Sequence, residues 1–250
     1  LRILKGVSKH CYMLESVENQ EVWGRYTFLG YDPKLEITCM NGEMCIRESG
    51  SEEGAKEPVA HPGAKIKEIL KEYTSPKVKD LPSFTGGLVG YFSYDYVKYS
   101  EPKLNLDADD QEGFKDVDLM LFDKVIAFDN LRQKIYIIAN ARTENLEQEY
   151  DRCLAEIEEI VDLIEHGTPA QITPGKITSE FRPLFSEQEY CAMVEKAKHY
   201  IYEGDIFQVV LSNRLEADYE GSLFNAYRML RTINPSPYMF YFSSDDIEVA

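Results

Sequence analysis

The sequence predicts an α+β fold: mostly antiparallel sheets packed as a layered sandwich, with helices on the outside. Three observations carry this. Strand-like runs cluster with helices inserted between them, without strict βαβ alternation. "LEITCM-NG-EMCIRE" places Asn41-Gly42 as a type I′ turn between alternating strands, the strongest short hairpin signal. "ENLEQEYDRCLAEIEEIVDLIEHG" repeats apolar residues at three- and four-residue spacing, as a helix that buries one stripe does.

In chain order, "RYTFLGY" reads as a strand before the Asn41-Gly42 hairpin. The polar loop "EEGAKEPVAHPG" then leads to a short helix near Lys65 to Tyr73. "FTGGLVGYFSY", "DLMLFDKVIAFD" and "KIYIIAN" read as further strands, the last two joined around Asn130. The long helix uses Leu146, Tyr150, Leu154, Ile157, Val161 and Ile164 as its apolar face, and Gly167 and Pro169 end it. "HGTPAQITPGKITSEFRP" is an extended linker, dividing a region 1–175 from a region 183–250. Ser186 and Glu189 form a capping box for a helix running to Gly204. A strand "DIFQVVLSNRLEA", a helix from Ser222 to about Ile233 and a strand "YMFYFSS" complete the reading.

At 250 residues and 44% hydrophobic content the chain can bury a substantial core. Its net charge of −17 opposes a nucleic-acid backbone or an anionic membrane as partner, while leaving a small anionic substrate possible. Five scattered cysteines without a C-x-x-C pattern read as free thiols of a reducing, cytoplasmic compartment. No apolar run approaches the roughly 20 residues that span a bilayer. The chain opens "LRILKG", without an initiator Met, as an excised piece would.

Several motifs have plain readings. "GGLVG" (Gly86 to Gly90) lacks phosphate-loop spacing and is read as small residues that permit close backbone packing. "DADDQEGFKDVD" offers Asp107, Asp109 and Asp118 in calcium-loop positions, but Glu112 stands where the turn needs glycine, so it is read as a solvated acidic loop. The four histidines form no metal pattern.

Two stretches remain open between scaffold and site. Strand alternation in "DIFQVVLSNRLEA" puts Ile206, Gln208, Val210, Ser212 and Arg214 on one face, which suits either a half-exposed sheet or a polar cavity wall. In "NPSPYMFYF", Pro235 stops the preceding helix at Asn234, and Pro235 with Pro237 makes a rigid, carbonyl-rich turn ahead of the aromatics. Such a turn suits an ammonium group or, equally, a plain helix stop.

"YMLESVENQEVWGRYTFLG" resembles the "LLES…GRYSFIG" opening of anthranilate synthase component I. "GGLVGYFSYDYV", "EGDIFQVVLSNR" and "NPSPYMFYF" resemble three further signatures of that chorismate-utilising family, in the same order. The resemblance implies a lyase that converts chorismate and ammonia to anthranilate and pyruvate, with Mg²⁺ as cofactor. It also implies a glutamine amidotransferase partner in a hetero-oligomer, and feedback inhibition by L-tryptophan. By that resemblance Glu15, Ser16, Asn234, Pro235, Ser236, Pro237, Tyr238 and Met239 form the tryptophan pocket. Relatives that add water carry a lysine base at the position of Gln208; a neutral amide there implies the ammonia-using branch, with Gln208 positioning substrate or nucleophile. Region 1–175 then reads as regulatory and region 183–250 as the start of the catalytic domain. The metal ligands are expected beyond Ala250, and the segment alone is expected to be inactive. Component I of aminodeoxychorismate synthase is the neighbouring reading. A stand-alone amino-acid-sensing module is the reading from another class.

Overall fold

The computed structural model describes residues 1–16, 24–101, 103–104, 110 and 112–250. Backbone packing separates two compact units, residues 1–171 with 227–250 and residues 172–226.

The elements begin with α1 (Arg2–Val7), β1 (Cys11–Glu15), β2 (Tyr26–Tyr31), β3 (Leu35–Met40), β4 (Glu43–Glu48) and β5 (Ala55–Pro58). Next come α2 (Pro62–Glu72), β6 (Gly87–Phe92), α3 (Val97–Ser100), β7 (Val117–Phe122), β8 (Lys124–Asp129), β9 (Lys134–Ala139) and α4 (Leu146–His166). The smaller unit holds β10 (Lys176–Ile177), β11 (Arg182–Pro183), α5 (Glu187–Glu203), β12 (Leu215–Glu216) and β13 (Tyr219–Glu220). The chain then continues through α6 (Phe224–Ile233), β14 (Met239–Ser243) and β15 (Glu248–Val249).

The larger unit contains two antiparallel sheets, ordered β15-β14-β1-β2-β8-β9 and β5-β4-β3-β7-β6. The fold class expected from sequence is the one found. Tyr12 and Phe242 from one sheet meet Met120 and Phe122 from the other in a shared aromatic core. The outer face of the six-stranded sheet is covered by Leu4 of α1 and Ile160 of α4. That of the five-stranded sheet is covered by Ile66 of α2. The order is therefore helix, sheet, sheet, helix.

Local chemistry explains the main turns. Asn41 and Gly42 both take positive φ (49° and 80°), as a type I′ turn requires. Asp116 locks that turn by accepting from the Asn41 amide (2.8 Å) and the Tyr99 hydroxyl (2.7 Å), while Lys98 pairs with it at 2.7 Å. Burial alone would raise the Asp116 pKa, but these partners outweigh it and hold the carboxyl below its ordinary range. Gly90 (φ 155°) explains the glycine run: a Cβ there would fall 2.0 Å from the Asp118 carbonyl oxygen, so β6 lies too close to β7 for any side chain.

Four sequence expectations are corrected. "DLMLFDKVIAFD" is not one strand: it divides at Asp123, and β7 and β8 belong to different sheets. The short helix starts at Pro62, which suits a first helical position. On α4, Cys153 and Ile160 are the buried residues, and Leu146, Tyr150, Leu154 and Val161 are exposed. A seam centred one position before the expected stripe faces the sheet.

The fourth concerns "DIFQVVLSNRLEA", where only Leu215–Glu216 pairs, with Arg182–Pro183. Residues 206–214 find no partner strand among the described residues; isolated contacts replace the ladder, the Leu184 amide donating to the Arg214 carbonyl (2.8 Å) and Tyr190 Oη to the Leu211 carbonyl (3.3 Å). Phe207 is 93% exposed. The smaller unit is held locally instead. Asn213 exchanges two 3.0 Å side-chain hydrogen bonds with the Phe185 backbone, and the expected Ser186–Glu189 capping box forms on α5.

Candidate functional site

β1 and β14 run antiparallel with Glu15 opposite Met239. This register brings the two ends of the sequence, and two of the predicted site residues, to one place. The turn Asn234–Tyr238 leads directly into β14. The Asn234 amide closes the last turn of α6 by donating to the Leu230 carbonyl (2.8 Å), and Pro235, with no N–H, ends the ladder there. Ser236 Oγ accepts from the Tyr238 amide at 3.3 Å, which tightens the turn. Ser236 and Pro237 are half-buried, Met239 is buried, and Asn234, Pro235 and Tyr238 are exposed.

Glu15 is buried, and α6 supplies donors to both its oxygens. Tyr227 Oη donates to Oε1 at 2.5 Å, and Arg231 Nη2 donates to Oε2 at 2.7 Å. Burial, and then the Glu15 carboxylate, push the Tyr227 phenol well above its ordinary pKa, so it remains a donor. Ser16, the next residue, has a buried Oγ with no hydrogen-bond partner among the described residues. Such a hydroxyl is costly unless a ligand or water meets it.

Tyr227 and Arg231 were not anticipated. The available signal was a tyrosine and an arginine four residues apart, on one helix face immediately before the proline turn. Gln208 lies in the smaller unit, exposed and outside any strand, with no hydrogen bond among the described residues.

A second polar group pins the β14–β15 turn. Arg47 Nη2 lies 2.5 Å from Glu36 and 2.7 Å from Asp245, and His10 Nε2 lies 3.1 Å and 3.5 Å from the same two residues. His10, Glu36 and Asp245 could in principle converge on a cation. Arg47 already neutralises both carboxylates, and imidazole is a poor ligand for Mg²⁺, which prefers oxygen donors. The group is an ionic clamp and does not fit that metal. Of the acidic-loop residues, Asp107 and Asp109 lie outside the described residues. Asp118 is buried in β7 and paired with Lys115 at 3.3 Å.

The chorismate binding enzyme family matches residues 9–250, and the chain belongs to that family. Within it, the chain is 38% identical over 242 residues to the anthranilate synthase component 1 of Acetivibrio thermocellus, covering 94% of this chain and 48% of that protein. Against the anthranilate synthase component 1 of Aquifex aeolicus (strain VF5) the identity is 38% over 252 residues, covering 98% and 50%. The crystal structure of anthranilate synthase component I from Streptococcus pneumoniae TIGR4 shares the fold, with a TM-score of 0.66 at 24% identity over 90% of this chain and 49% of that one. The chain spans about half the length of the curated relatives it matches.

Proposed function

We propose that the chain is the N-terminal portion of an anthranilate synthase component I, which converts chorismate and ammonia to anthranilate and pyruvate. L-tryptophan acts as feedback inhibitor on the β1–β14 face. The observation that carries the regulatory part is the apposition of Glu15 and Met239 beside the unpartnered Ser16 hydroxyl. In this reading the carbonyls of the Asn234–Pro237 turn accept from the ammonium group of the amino acid, and Ser16 Oγ donates to its carboxylate. Tyr238 and Met239 offer aromatic and thioether surface to the indole. Because α6 occupies both Glu15 oxygens, Glu15 serves as the anchor that holds α6 and the turn in place.

Region 1–175 is then regulatory, and region 183–250 begins the catalytic domain. Gln208 positions substrate or nucleophile without exchanging protons. A glutamine amidotransferase subunit supplies the ammonia. Mg²⁺ belongs to the reaction through ligands outside these residues, and the chain works in the cytoplasm.

Anthranilate fluorescence with the intact protein, chorismate and ammonia tests the reading. Anthranilate should form, L-tryptophan should suppress it, and Ser16→Ala should weaken that inhibition by about tenfold while leaving uninhibited turnover in place. Formation of an aminodeoxychorismate product would overturn the reaction assigned. Inhibition of Ser16→Ala at unchanged tryptophan concentration would overturn the pocket.

A further inference from the structure

α4 turns only part of its apolar arc to the sheet. Cys153 and Ile160 are buried, while Leu146 (59% exposed), Tyr150 (59%), Leu154 (42%) and Val161 (38%) form a second stripe at four- and seven-residue spacings. Four exposed apolar side chains aligned on one helix differ from the scattered singles of an ordinary surface.

The charges beside the stripe are as regular. Glu147, Asp151, Glu158, Asp162 and Glu165 each follow an apolar residue of the same helix by one position, so they form a row along one side of the stripe. All five are exposed. Asp162 meets His166 at 3.0 Å, and the other four make no ion pair among the described residues. Carboxylates at four-residue spacing repel one another and weaken the helix that carries them. Among the described residues, the His166 contact at Asp162 is the one ion pair that meets this row.

We propose that this stripe docks a partner protein through a cationic amphipathic helix, its apolar face on Leu146, Tyr150, Leu154 and Val161 and its lysines or arginines on the acidic row. The chemistry selects that occupant. A second copy of the chain would bring two uncompensated acidic rows into one rim, and an anionic membrane would be repelled by the same row and by a net charge of −17. A basic helix is attracted at long range and satisfies both features at contact, the helix-in-groove mode of recognition. The inference does not depend on the chorismate reading.

The test uses the intact protein and a fluorescently labelled synthetic peptide of about 18 residues, long enough to form a helix on binding. It carries leucines at three- and four-residue spacing and lysines elsewhere; a scrambled peptide of the same composition is the control. The ordered peptide should bind about tenfold more tightly than the scrambled one. Leu154→Ser with Val161→Ser should lower its affinity about tenfold. Glu158→Gln with Asp162→Asn should do the same at low salt and much less at high salt. Because these four side chains are exposed, circular dichroism should show the helix intact in both variants.

Equal binding of the two peptides, or binding indifferent to the α4 substitutions, overturns the proposal. So does a concentration-dependent dimer that Leu154→Ser abolishes, which would give the stripe to a second copy. Protection of Leu154→Cys from a thiol reagent, in a Cys191→Ser background, would show the protein's own chain covering the stripe and overturn it likewise.

Discussion

Tyr227 donates its hydroxyl to Glu15 at 2.5 Å, which ties α6 to the far end of β1. Arg231 contacts the same carboxylate from a position 43% exposed to water. The two contacts should therefore differ in energy. Tyr227→Phe leaves a buried carboxylate short of one donor and should cost about 2 kcal/mol. Arg231→Ala opens the Glu15 carboxylate to water, which can take the place of the lost donor, and should cost about 1 kcal/mol. Chemical denaturation of both variants checks the order, and a larger loss for Arg231→Ala would contradict it.

Tyr12 and Gly30 face each other across β1 and β2, and a Cβ on residue 30 would stand 2.2 Å from the Tyr12 ring. The glycine is there because the ring covers it. Gly30→Ala should destabilise by about 3 kcal/mol through overpacking, read as a fall in the thermal midpoint.

The Tyr12 hydroxyl is buried without a partner among the described residues, and burial raises its pKa far above the ordinary value. Removing an orphaned buried hydroxyl spares its desolvation cost. Tyr12→Phe should stabilise by about 1 kcal/mol, moving the urea midpoint up with the slope unchanged.

Asp129 is buried and receives Arg25 Nη2 at 2.8 Å, with the Leu131 and Arg132 amides on its other side. The Arg25 contact is the main cause of a pKa held below the ordinary carboxylate value, with burial opposing it. A group whose folded pKa is depressed stabilises above its unfolded pKa, about 4, and loses that contribution as pH falls through the folded value. The advantage of wild type over Asp129→Asn should therefore be full at neutral pH and vanish in strong acid. Urea titrations along a pH series check it; a difference that grows toward acid would refute it.

Asp118 behaves in the opposite sense. Burial, more than the 3.3 Å contact with Lys115, sets its pKa, and raises it. Its burden on the fold is present at neutral pH and is relieved as pH falls through that raised value. In the same series, wild type should gain on Asp118→Asn as the solution is acidified.

What the sequence revealed and what it concealed separate by range. The Asn41-Gly42 turn and the Ser186–Glu189 box are local, specified by residues within four positions of each other, and both stand as read. Asp123 and Lys124 interrupt the apolar run between β7 and β8, but both strands are buried, and hydrophobicity alone does not say in which sheet. Residues 206–214 have strand composition, yet a strand also needs a neighbour, which composition does not supply. The buried face of α4 is not legible in sequence because its apolar arc is wider than the seam of Cys153 and Ile160 that packs inward. Glu15 and the proline turn entered the site through resemblance; Tyr227 and Arg231 reach it only through tertiary folding.

β14 lies between β15 and β1 in the six-stranded sheet. During synthesis, β1 leaves the ribosome more than 200 residues ahead of β14, so its Cys11–Glu15 edge is bare while the intervening residues are being made. Such an edge invites pairing with the wrong strand, another nascent chain included. The sheet is completed only by a strand far along the sequence, so this edge stays open to wrong partners until the proline turn has emerged and delivered β14 to its place.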